Sequence, residues 1–146
     1  MRRHIVGLGQ QSQSENGQLE GLFLVRVERA AYRWHPQKPF FTVYFVILEP
    51  KEFEGWRFSG RLYCTAKALW KLNWFLRDFG YDRELIEQDD VDEKALTGLR
   101  GIARVSHTAL NGHSFLNLEA FAPGGEWEEV MATMVKPVGT EATNDL

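Results

Sequence analysis

Three alternating apolar–polar runs, one segment with a helical period, and two further alternating runs around Asn111-Gly112 predict a mainly β domain with a helix. A five-stranded barrel with its helix between strands three and four has this order of elements, the arrangement of an OB-fold. A mixed α+β sandwich uses the same elements, so the order leaves that alternative open. At 146 residues the chain holds one such domain with a proper core, and not two comfortable ones.

Residues 1–19 are polar, rich in Gln, Ser and Asn, and without period, which predicts a flexible N-terminal arm ahead of a domain at 20–122. The first strand is read from "FLVRVER", with Phe23, Val25 and Val27 inward and Leu24, Arg26 and Glu28 outward. A loop follows, Ala31 to Pro39, in which Pro36 and Pro39 hold the chain extended and out of a helix. The second strand, "FTVYFVILE", directs Phe41, Val43, Phe45 and Ile47 one way and Thr42, Tyr44, Val46 and Leu48 the other. Both Phe40 and Phe41 are expected in the core. In the third, "WRFSGRLYC", Trp56, Phe58, Leu62 and Cys64 point inward and Arg57, Ser59, Arg61 and Tyr63 outward. Gly60 on the inner face predicts a bulge or a tight bend.

The period then changes. "TAKALWKLNWFLRDFG" has Thr65 as N-cap and Gly80 just past the C-terminus, and Ala68, Leu69, Leu72, Phe75, Leu76 and Phe79 share one face. An acidic, irregular stretch follows, with a short helix expected at Arg83–Gln88. Asn111-Gly112 is a strong two-residue hairpin signal. It pairs Leu110 with His113, Ser106 with Asn117, Val105 with Leu118, Arg104 with Glu119 and Ala103 with Ala120. Residues 123–146 are read as a C-terminal segment and polar tail, with one short helix.

Composition narrows the function classes. No run approaches the roughly 18 apolar residues of a membrane span, and the start lacks an apolar run with a cleavage site, so no secretory signal is expected. A single cysteine, Cys64, forms no internal disulfide and no metal pattern, which fits a reducing cytoplasm. The net charge of −3 hides an asymmetry: residues 1–80 carry 12 Lys/Arg against 7 Asp/Glu, and residues 81–146 carry 5 against 13. Two readings stay open: the first half faces a polyanion, or surface charge simply falls unevenly along the chain. For catalysis the sequence offers no phosphate loop, no clustered His/Cys set and no nucleophile motif. "EQDDVDE" lacks the glycine and spacing of a calcium loop, and as metal ligands His107 and His113 are solitary. Neither an enzyme nor a cofactor or metal is expected.

Binding of single-stranded nucleic acid needs cations for phosphates and exposed rings for bases. An OB-fold places them around strands two and three, between two flanking loops. The outward residues there are Arg26, Thr42, Tyr44, Arg57, Arg61 and Tyr63; the first loop adds Tyr32, Arg33, Trp34, His35 and Lys38, and the hairpin tip adds Asn111 and His113. For Tyr32 and Trp34 two roles stay open, a base stack or a plug on the barrel end. Tyr44 and Tyr63 are open between ligand contact and cross-strand packing. Trp70 and Trp74, one turn apart among Lys67, Lys71 and Arg77, lie off the apolar stripe. Either other segments cover them, or they meet a second copy or a protein of recombination or replication. The rival reading of the chain is accordingly a protein-interaction adaptor using that helix face.

The segments "GLFLVRVERA", "FFTVYFVILEP…GWRF", "AKALWKLNWFLRDFG" and "LTGLRGIARV" also carry a likeness. Over about residues 20–122 the chain resembles a family of phage and prophage proteins of unknown function that are regarded as OB-fold single-stranded-DNA-binding proteins. The resemblance implies a sequence-tolerant binder of single-stranded DNA, or of RNA, acting in replication, recombination or defence of a mobile element. The tail departs from that of bacterial single-stranded-DNA-binding proteins: "TEATNDL" has two acids and no terminal Pro-Phe.

Overall fold

In the computed structural model, residues 2–4 and 19–133 are described, so the expected arm and polar tail lie almost wholly outside the described residues. Five antiparallel strands form one sheet: β1 (Gly21–Arg33), β2 (Phe40–Glu49), β3 (Arg57–Tyr63), β4 (Arg100–Leu110) and β5 (His113–Pro123), in the order β3-β2-β1-β4-β5. Helices α1 (Leu69–Asp78) and α2 (Arg83–Glu87) follow β3, and a further helix, α3, runs over 127–133 after β5. The sheet is not closed by hydrogen bonds between β3 and β5. No helix of the described chain is long and apolar enough to cross a membrane.

The inward sets of β1 and β2 form the core: Phe23, Val25, Val27, Phe41, Val43, Phe45 and Ile47 are all buried. The register shift between Leu24 and Val25 places an extra residue, Leu48, on β2, whereas the one between Val27 and Arg29 is a bulge at Glu28 of β1, which runs longer than its alternation predicts. Its first half pairs with β4, from Gly21↔Val105 to Arg26↔Arg100, and its second half is an arm paired only with β2, ending at Arg33↔Phe40. Tyr32 and Arg33 therefore belong to a strand, and the turn is only Trp34–Pro39. His35 builds that turn by accepting the Gln37 and Lys38 N–H groups at its Nδ1, at 3.1 and 3.0 Å. Beyond Val27 the free edge of β1 is covered by residues 93–99. Gly98 N–H donates to the Val27 carbonyl, Val27 N–H to the Leu99 carbonyl, and Tyr32 N–H to Glu93 Oε2 at 2.7 Å.

Helix α1 packs against β5 and β3. Phe75 and Phe79 meet edge-on with Phe45 and with Phe121, ring centroids 5.4–6.1 Å apart. The helix starts at Leu69 with no side-chain cap, so Thr65 is not the N-cap; it contributes only its carbonyl, to Ala68 N–H. Leu69 stands exposed, off the buried stripe. The C-terminus is as its sequence predicts. Gly80 takes φ +85°, and Tyr81 N–H donates back to the Leu76 carbonyl, satisfying an end carbonyl that the helix cannot.

Three strand expectations change. Gly60 sits in regular register with Val43, without a bulge. A Cβ there would lie 2.6 Å from Leu118, so the glycine is what lets the edges of β3 and β5 approach. The Asn-Gly hairpin has positive φ at both turn residues, and the register holds from Leu110↔His113 to Val105↔Leu118. There a bulge intervenes, pairing Arg104 with Ala120 and Ala103 with Phe121, with Glu119 the extra residue. One inserted residue reverses the faces beyond it, which is how Phe121 enters the core in place of Ala120. Trp56 is likewise not inward; at 37% exposure it packs edge-on against Phe53.

Candidate nucleic-acid interface

The outer face of β1–β3 is built row by row from the register. One row is Arg100–Arg26–Val46–Arg57; further along lie Arg29–Tyr44–Ser59, Ala31–Thr42–Arg61 and Arg33–Phe40–Tyr63. The bulge at Glu28 sets this arrangement. Without it, strict alternation turns Ala30 and Tyr32 outward; with it, Arg29 and Arg33 join Tyr44 and Phe40. Six arginines thus stand on one face with Glu28 beside them.

Phe40, Thr42, Tyr44, Ser59, Arg61 and Tyr63 floor a groove of ≈ 960 Å³, at the upper end of the roughly 300–1,000 Å³ of small-ligand clefts. One wall is the turn entering α1, with Lys67, Trp70 and Lys71; the other is β5 from Phe115 to Leu118. Arg33 stands at the end made by the β1–β2 arm. The lining holds four cations, Arg33, Arg61, Lys67 and Lys71, and no carboxylate. Among the described residues the only ion pair is Arg57–Glu28, so these four meet no acid within bridging distance.

Contacts already made fix several of the side chains. The Arg29 guanidinium lies over the Tyr44 ring at 3.7 Å and that of Arg61 over Phe40 at 4.3 Å, arrangements that hold a cation against a ring face. Phe40 also leans on Tyr63, centroids 5.4 Å apart. Lys71 Nζ donates to the Leu118 carbonyl at 2.8 Å, binding the α1 wall to the edge of β5.

Of the residues expected at the site, Arg33, Tyr44, Arg61 and Tyr63 come together in the groove, with Trp70 of the helix joining them. Arg26 and Arg57 share the face but occupy the far row. Arg57 is engaged by Glu28 at 2.9 Å, and this hydrogen bond and the opposite charge raise its pKa above the ordinary guanidinium value. Tyr32 turns to the inner side of the arm and meets the Phe41 ring edge-on at 5.1 Å, while staying 43% exposed. Trp34 and Lys38 lie at the arm tip, outside the lining; Trp34 is 70% exposed and plugs nothing. Asn111 and His113 form the other hairpin tip, also outside the lining, where the His113 ring stands 6.5 Å from that of Phe115. Trp74 is half-buried behind Trp70, edge-on to Phe121 at 5.7 Å, with its Nε1 donating to Asp78 Oδ2.

Lys67, Lys71, Phe115, Asn117 and Phe40 line the groove but are not among the residues that the sequence points to for it. For Phe40 the signal was present, since Thr42 and Tyr44 share its parity; its expected place in the core is corrected here. Phe115 and Asn117 follow from the hairpin register by the same parity. Arg29 had no signal, because the bulge that turns it outward has no sequence mark. Burial pushes the Cys64 thiol pKa up, away from the thiolate a nucleophile needs. Among the described residues no group of three His, Cys, Asp or Glu side chains is placed to hold a metal ion. No protein-family model and no curated protein matches this chain.

Proposed function

We propose that the chain binds single-stranded nucleic acid, single-stranded DNA first, in this groove, and that its sheet is an OB-fold barrel parted along the seam between β3 and β5. The strand order and the approach of the two edges at Gly60 support the fold reading. The observation that carries the functional one is a groove lined by four cations and five rings (Phe40, Tyr44, Tyr63, Trp70, Phe115) with no carboxylate. Phosphates are drawn by these cations, and bases find ring faces without any requirement for sequence. A duplex keeps its bases stacked inside and offers those rings nothing. The protein then sequesters or presents single strands without chemistry of its own.

Titration of labelled single-stranded DNA, single-stranded RNA and duplex DNA at two salt concentrations tests this. Single strands are expected to bind more tightly than duplex, with affinity falling as salt rises. Flat titrations at low salt with folded protein overturn it, and leave the adaptor reading in its place.

A further inference from the structure

Trp70 is the most exposed ring in the groove, at 60%, and it stands on the helix rather than the sheet. Its ring is stacked on Trp74, centroids 6.1 Å apart and planes at 27°. Trp74 is itself held by Asp78 and Phe121, so Trp70 has a fixed backing and an open outer side. Lys67 and Lys71 flank it in the lining, with Lys71 Nζ 5.8 Å from the Trp70 ring centre. A rigidly backed indole between two lysines combines the two contacts that one nucleotide requires, a π-face and a phosphate partner.

We infer that Trp70, with Lys67 and Lys71, is a nucleotide subsite off the sheet, where a single strand leaving Tyr63 and Phe40 stacks one further base on the first turn of α1. The inference rests on the reading of the groove as a single-strand site. It assigns the exposed half of the tryptophan pair to nucleic acid and not to a protein partner. The occupant follows from continuity, because Trp70 lines the same groove as Arg61 and Tyr63 and no acid intervenes.

The test is a series of labelled oligothymidylates of increasing length titrated against the full chain and three variants. Wild-type affinity is expected to rise with length until both sheet and helix are spanned. Trp70→Ala should bind the shortest oligomers as wild type does, stop gaining about one nucleotide earlier, and lose about five- to hundredfold on long ones. Lys67→Gln should flatten the salt slope by roughly 0.7. Trp70→Phe keeps a ring and the fold, and should lose much of the tryptophan-emission quench that wild type gives on binding. Equal affinity of Trp70→Ala and wild type at every length overturns the subsite, as does an undiminished quench in Trp70→Phe. So does a change of assembly state in Trp70→Ala with binding intact, which assigns the ring to a second copy. Failure of wild type to bind any length overturns the groove reading itself, a separate outcome.

Discussion

Arg61 concentrates the chemistry of the groove in one side chain. Its guanidinium caps the Phe40 ring and reaches toward Tyr63 Oη at 3.4 Å, yet among the described residues it meets no carboxylate within bridging distance. Arg61→Ala is therefore expected to weaken single-strand binding and flatten its salt slope by roughly 0.7, while exposed surface changes of this kind alter stability by only about 0.5 kcal/mol. Affinity at several salt concentrations, beside a melting curve, reads both. Trp34 gives the opposite contrast to a plug. Exposed at the arm tip, it is expected on Trp34→Ala to leave the melting temperature nearly unchanged, where loss of a buried aromatic costs roughly 3–5 kcal/mol. Cys64 yields a pH prediction. Because burial raises its pKa, the thiolate fraction in the folded protein lags that of a free thiol at every pH below full ionisation. Alkylation should be slower in native than in urea-unfolded protein, and the native rate should continue to climb at pH values where the unfolded rate has levelled.

Among the elements, those set by side-chain period and turn chemistry were legible and those set by insertion were not. The inward sets of β1 and β2, the Asn-Gly register near the turn and the Gly80 stop of α1 follow from residue type alone. The bulges at Glu28 and Glu119 do not, because nothing in a glutamate announces an extra residue; they form where a strand must twist to remain packed. Each moved site or core residues: Arg29 and Arg33 onto the outer face, Tyr32 off it, and Phe121 into the core. The groove was legible to the same extent, in its β2–β3 floor. Its helix wall was not, since local pattern does not say that the start of α1 lies beside β5. Gly60 joins these levels. Gly60→Ala drives a methyl group into Leu118, and overpacking of this kind costs roughly 1–3 kcal/mol. Urea unfolding should register that loss. A Gly60→Ala protein as stable as wild type is the result that excludes a close seam.

At the level of the whole molecule, charge is sorted by region: the groove is cationic, and residues 82–93 form an acidic stretch that contacts the back edge of β1 through Glu93. Net charge is negative, so attraction to a polyanion must be local to one face. Four groove cations, each releasing a counterion from a single strand, predict a log–log salt slope of about −3. A slope near zero is incompatible with phosphate binding there. The shared strand β1 has a consequence of another kind. Hairpins β1–β2 and β4–β5 each join neighbours in sequence, but the pairing of Gly21 with Val105 joins the two ends of the domain. Chain entropy resists that last closure until both hairpins offer edges to it. Folding speed should therefore be governed by the β1–β4 seam, so that shortening the 82–93 connection accelerates refolding even though none of its residues lines the groove.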